Sequence, residues 1–132
     1  MNAGPTVVIV EDDPTHATLI AQILATVAPN ARVEMPPPEA APAFVAEAPF
    51  GALVLVDRRL EGGDSLALLR AVAVARPDLR LVLMSSFVTL EDRDEALHAG
   101  ARSVFEKPGD LNGWRSILLG LLAPPISGLR AA

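Results

Sequence analysis

The chain of 132 residues has no cysteine and no tyrosine, one tryptophan and four phenylalanines. Without thiols, disulfides and thiolate metal centres are excluded. Lysine is almost absent too. Lys107 is the only one, and every other basic side chain is arginine. The net charge of −5 disfavours binding to DNA or an anionic membrane through the overall field. No apolar run approaches the ~20 residues a membrane span needs. The opening MNAGPTVVIV lacks the basic region and long apolar region of a signal peptide. A cytoplasmic protein with no membrane partner is the expectation. What is present is 51% hydrophobic and 20% charged, the mix of a folded globular chain. One domain over 1–132 is expected, with its core at about 5–122. The segment 123–132, APPISGLRAA, reads as a tail or linker stub.

Short Val- and Leu-rich runs alternate with helical patterns. Thr6–Val10 is continuously apolar and β-branched, as a strand buried on both faces should be. Asp13-Pro14 then supplies a cap and a first-turn proline. Leu19, Ile20, Ile23, Leu24 and Val27 recur at helical spacing up to about Ala28. Arg32–Met35 is a weaker strand, and Pro42 limits the next helix to a short one near Pro38–Ala48. Ala52–Val56 is a third strand, Gly62-Gly63 a loop, and Ser65–Arg76 a helix. Leu79–Met84 is a fourth strand. Thr89 to Asp92 resembles a capping box for a helix that ends at Gly100. Ser103–Glu106 is a fifth strand, and Asp110 caps a last helix to about Leu122. The alternation predicts an α/β fold. It is a flavodoxin-like, doubly wound, five-stranded parallel sheet of order 2-1-3-4-5, a (βα)5 three-layer sandwich.

In such sheets ligands bind outside the C-terminal ends of the strands, at the switch point. Strand 1 ends in Glu11-Asp12-Asp13 and strand 3 in Asp57. Clustered carboxylates repel unless protons or a cation intervene, and oxygen-only ligands suit a hard ion such as Mg²⁺. Strand 4 ends in Ser85-Ser86 and strand 5 in Glu106-Lys107-Pro108. Each residue alone has an ordinary surface explanation. Together they provide metal ligands, a hydroxyl, an ammonium and one carboxylate left to react, a set suited to a phosphoryl group. A lysine's compact charge fits such a crowded rim better than the planar fork of arginine.

VVIVEDD, LVLVDRRLEGGDSLALL, LVLMSS and GARSVFEKP follow in that order. On these four motifs the chain resembles a response-regulator receiver domain of two-component signalling, over about 5–122. The resemblance implies that Asp57 accepts a phosphoryl group from a sensor histidine kinase or a histidine phosphotransfer protein. It implies Mg²⁺ held by Asp12, Asp57 and the Arg59 backbone carbonyl, with Glu11 acting through water. Ser85 and Lys107 would bind phosphoryl oxygens, and the Lys107–Pro108 bond would be cis. Such a domain modifies only itself and is no enzyme in the ordinary sense. It would act as a phosphorelay switch on a downstream protein target, with no direct DNA binding. A homodimer through the fourth and fifth helices is compatible with this pattern, and so is one through the first and fifth, where Trp114 and the leucine-rich end of the last helix leave apolar surface unaccounted for. Two other readings stay open. One is a small Mg²⁺-dependent aspartyl phosphatase, which wants an acid where Arg59 stands. The other is a phosphorylation-independent pseudo-receiver, against which the intact set of Glu11, Asp12, Asp57, Ser85 and Lys107 argues.

Departures from the family pattern carry expectations of their own. Glu61 replaces the usual Pro, and Ser65 the usual Gly. Arg59 and Phe87 should slow self-dephosphorylation, and small Ser86 leaves the phosphoryl accessible. His16 and His98 read as surface residues. Val104 stands where the family has Tyr or Phe, and valine has no large ring to swing inward. Phe105 alternates to the opposite face. Relay through the fourth helix should therefore be muted. Beryllofluoride should cause small chemical-shift changes in that helix, and Val104→Tyr should enlarge them. Large wild-type shifts would refute the expectation.

Overall fold

The computed structural model describes residues 4–60 and 63–123. Glu61, Gly62 and 124–132, and with them the expectations for position 61 and the tail, lie outside the described residues. In chain order the main elements are β1 (Thr6–Val10), α1 (Pro14–Val27), β2 (Arg32–Glu34), α2 (Ala41–Ala46), β3 (Leu53–Asp57), α3 (Ser65–Ala75), β4 (Arg80–Ser85), α4 (Leu90–Ala99), β5 (Ser103–Glu106) and α5 (Leu111–Leu122). A 3-10 turn, Pro38–Ala40, leads into α2. The five strands pair in parallel in the order β2-β1-β3-β4-β5. This is the predicted flavodoxin-like topology.

Strand alternation divides the core in two. Val8, Val10, Val54, Val56, Leu81, Leu83 and Val104 face α2, α3 and α4. Val7, Ile9, Leu53, Leu55, Val82 and Met84 face α1 and α5. Both faces of β1, β3 and β4 are covered, so these strands read as continuous apolar runs. Phe105 meets Trp114 of α5 edge to face, with centroids 5.8 Å apart. Val104, 5% exposed, lies on the opposite face, as alternation requires.

The helix signals act where the sequence places them. Asp13 Oδ1 accepts from Thr15 N at 2.9 Å, and Asp110 Oδ1 from Gly113 N at 2.7 Å. Thr89 and Asp92 form the reciprocal capping box at the start of α4. Far from the β-strand C-termini, Arg76 holds Asp78, which also accepts from the Gly51 N–H. This pairing keeps the Asp78 carboxyl well below the usual carboxylate range.

Three details differ from expectation. The third and fourth strands run one residue beyond the expected ends Val56 and Met84, to Asp57 and Ser85, because each still pairs with its neighbour. Gly63 is not loop. Gly63–Asp64 pairs antiparallel with Arg59–Leu60 in a two-residue ribbon. The Lys107–Pro108 peptide is trans, the isomer that X–Pro bonds favour intrinsically, and not cis.

Gly100 ends α4 at φ 115°, a conformation that L side chains rarely adopt. An added Cβ would lie 2.4 Å from Ala73 Cβ of α3. Gly100→Ala should therefore cost about 2 kcal/mol or more, combining backbone strain with a clash in the α3–α4 contact. Urea denaturation checks this, and a loss under roughly 0.5 kcal/mol would contradict it.

Candidate functional site

The parallel sheet delivers the C-terminal ends of β1, β3, β4 and β5 to one rim. Glu11 follows β1 directly, and its side chain is fully buried. Asp57 ends the central strand β3 and Ser85 ends β4, each 7% exposed. Lys107 follows β5, where its N–H donates to the Ser85 carbonyl at 2.7 Å and extends the ladder. The ammonium therefore enters the rim from the side opposite Glu11 and lands between the carboxylates. Lys107 Nζ donates to Glu11 Oε1 at 2.8 Å and to Asp57 Oδ2 at 3.2 Å. Residues 50 and 96 positions apart are joined in this way.

Asp12 is exposed beside them, and one oxygen from each of Glu11, Asp12 and Asp57 lies within 4.8 Å of the others. Asp13 caps α1, as read from the sequence. Its N–H also donates to Glu11 Oε2 at 3.3 Å. The Arg59 N–H donates to Asp57 Oδ1 at 3.2 Å, which fixes the carboxylate from the chain that follows it. Ser65, in place of the usual glycine, is fully buried, and its hydroxyl donates to the Arg58 carbonyl. The substitution thus ties α3 to the residue after Asp57.

Ser85 Oγ donates to the Phe87 carbonyl at 3.1 Å, within its own loop. Ser86 and Phe87 are exposed, Phe87 to 70%. They join Arg58, Arg59, Ser85 and Asp92 around a polar cleft of about 360 Å³. Glu106 accepts from the Val88 N–H at 3.1 Å and anchors the loop between β4 and α4.

His16 is more than the surface residue read from the sequence. Its Nδ1 lies 3.3 Å from Lys107 Nζ, 3.5 Å from Asp13 Oδ2 and 4.0 Å from Glu11 Oε1. The signal was present, since His16 stands four residues before buried Ile20 and extends the inward stripe of α1 to the rim. His98 is exposed, with its Nδ1 2.8 Å from the Asp94 carbonyl on α4.

The sequence of 7–118 matches the family model of the response regulator receiver domain. This chain belongs to that family. The Salmonella typhimurium transcriptional regulatory protein ZraR is 31% identical over 117 residues, covering 89% of this chain and 26% of ZraR. The photosynthetic apparatus regulatory protein RegA of Rhodovulum sulfidophilum is 30% identical over 123 residues, covering 92% of this chain and 66% of RegA. The chain thus spans less than two thirds of each relative. Its fold is shared by a CheY-like receiver domain protein from Methanospirillum hungatei, with a TM-score of 0.76, 24% identity, and 89% and 90% of the two chains covered. CheY4 of Vibrio cholerae gives a TM-score of 0.77 at 17% identity, covering 90% and 99%.

The carboxylates of the receiver rim do not share their charge evenly. Burial, then the hydrogen bond with Asp57, push the Glu11 carboxyl up from 4.5 to about 7, against the opposing pull of Lys107. Below pH 4.5 the folded and unfolded chains both hold this proton. Between 4.5 and 7 only the folded chain keeps it, so this contribution to stability is lost as pH rises through that window. The change is on the order of 3 kcal/mol. Glu11→Gln should flatten the stability–pH curve there, and the Glu11 side-chain carbon resonance should titrate near 7. A midpoint near 4.5 would contradict the assignment.

Proposed function

We propose that Asp57 is a phospho-acceptor and that the chain is a phosphorylation-dependent switch of a two-component system or phosphorelay. The observation that carries this reading is Lys107 Nζ, bonded at once to Glu11 and Asp57 on the rim where Asp12 also converges. An ammonium buried against a strand-end carboxylate is placed to follow negative charge as it forms there. Asp57 Oδ2 would attack phosphorus as the bond to the donor's imidazole nitrogen breaks. The electron pair returns to that nitrogen, and a P–O bond to Asp57 forms. Lys107 would move from Asp57 to a phosphoryl oxygen. The Ser85 hydroxyl would exchange the Phe87 carbonyl for another.

The three clustered carboxylates supply the all-oxygen donor set that Mg²⁺ takes. Asp12 and Asp57 would hold it directly with the Arg59 backbone carbonyl, and Glu11 through water. When bound, the ion neutralises charge on the transferring group. The donor is a sensor histidine kinase or a histidine phosphotransfer protein. The output is changed affinity for a downstream protein target, without direct DNA binding. Arg59 and Phe87, on the cleft beside Ser85, and small Ser86 are the residues we assign to phosphoryl lifetime. Val104, packed in the core on the α4 side of the sheet, supports a muted relay. Trp114 is 3% exposed against Phe105 and offers no such surface, but exposed Leu90 and Leu97 on α4, with Leu111 and Leu119 on α5, leave apolar surface for a homodimer. No described helix is long and apolar enough to cross a membrane, and we read the protein as cytoplasmic. The unit of action is one receiver domain over about 5–122.

Acetyl phosphate with Mg²⁺ should add the mass of one phosphoryl group to the intact protein, and Asp57→Asn should abolish the gain. Absence of an adduct on wild type would favour the pseudo-receiver reading. Continuous turnover of the donor, with Arg59 where a second acid is wanted, would favour a phosphatase.

A further inference from the structure

An ammonium carries three N–H donors. Two of those of Lys107 go to Glu11 and Asp57, at 2.8 and 3.2 Å. A further acceptor within reach is His16 Nδ1, at 3.3 Å. Lys107 is 8% exposed at its side chain and His16 38%, so the imidazole sits over the ammonium at the mouth of the rim. We propose that His16 is a positioning residue for phosphoryl transfer, accepting the third N–H of the Lys107 ammonium at Nδ1. The proposal rests on the phospho-acceptor reading of Asp57. His16 itself makes and breaks no covalent bond.

The position of His16 is fixed independently of the ammonium. It lies in the first turn of α1, whose start is set by the Asp13 cap and by Pro14. Asp13 Oδ2 lies 3.5 Å from the same Nδ1, and Glu11 Oε1 lies 4.0 Å away. A second positive charge on the ring would stand 3.3 Å from the ammonium, whereas a neutral ring with its proton on Nε2 presents a lone pair to it. Glu11 and His16 thus come from one six-residue stretch, EDDPTH, and hold the ammonium by two of its three bonds.

The third bond, to Asp57, is the one that must be given up when phosphorus attaches. A lysine head on a four-carbon stem swings widely if nothing else holds it. With Glu11 and His16 retained, the ammonium needs only a small displacement to leave Asp57 for a phosphoryl oxygen. Orientation is then settled before the transition state. Loss of the His16 acceptor should leave donor binding unchanged and slow the step that follows it.

The absence of any other lysine makes the contact directly observable. In protein labelled with ¹⁵N-lysine, the single side-chain ammonium signal can only be Lys107. Hydrogen exchange of that group should be about tenfold faster in His16→Phe than in wild type, the effect of losing one bond to a charged donor. His16→Asn presents an acceptor oxygen the same number of bonds from the backbone and should restore slow exchange. In parallel, adduct formation from saturating acetyl phosphate with Mg²⁺ should slow about tenfold in His16→Phe, with the half-saturating donor concentration unchanged, and recover in His16→Asn. Thermal melts establish that both variants fold. Unchanged ammonium exchange in His16→Phe overturns the contact. Faster exchange with an unchanged adduct rate overturns the positioning role, as does equal slowing in both variants. If wild type forms no adduct, the phospho-acceptor reading and the positioning role fall together, while the exchange measurement still decides whether His16 holds the ammonium.

Discussion

The ion-paired cluster of Lys107, Glu11 and Asp57 is the constraint around which the rest of the rim is arranged. Two carboxylates lie 7% exposed at the end of an apolar sheet, where either charge is costly without compensation. The Lys107 ammonium offsets part of that cost, and the proton favoured on Glu11 offsets more. Neither device neutralises the cluster fully, because Asp12 stands beside it. A rim with surplus negative charge favours a cation, and one with a movable ammonium tolerates an incoming phosphoryl group. The energetic cost of the cluster and its proposed chemistry therefore have the same origin.

The scaffold holds this cluster by simple means. Parallel pairing places every strand's C-terminus on one side, and the 2-1-3-4-5 order makes β1 and β3 neighbours. Helices cover both faces of the central strands β1, β3 and β4 and leave their C-terminal ends open at the rim. The loops after the strands are then tied down locally. Arg59 N–H fixes Asp57, Ser65 fixes Arg58, Asp13 starts α1, and Glu106 anchors the turn into α4. Each tie is a backbone–side-chain bond of ordinary strength. Together they leave the head of Lys107 as a charged group with room to shift.

Much of the fold was legible because its signals are local. A strand buried on both sides must be apolar throughout, as VVIV and LVLV are. A helix start needs an acceptor, and Asp13, Thr89 and Asp110 provide one. Period-2 alternation placed Val104 and Phe105 on opposite faces. Boundaries drifted by a residue where a side chain that resembles a loop residue still pairs in the sheet, as Asp57 and Ser85 do. The ribbon at Arg59–Leu60 escaped notice because two-residue strands have no periodicity to read. The trans Lys107–Pro108 bond went against an expectation drawn from family resemblance, for which the residues themselves held no signal.

His16 illustrates where reading along a chain stops. Its identity, its place in the first turn of α1 and its spacing from Ile20 are all in the sequence, yet none of them names Lys107, which lies 91 residues away. The sequence by itself determined the alternating elements and the chemical types at the strand ends, because hydrophobic pattern and capping are properties of neighbouring residues. Only the tertiary structure decided which side chains share a proton or a hydrogen bond. Those pairings depend on ångström distances between distant strands, set by the register and packing of the whole sheet.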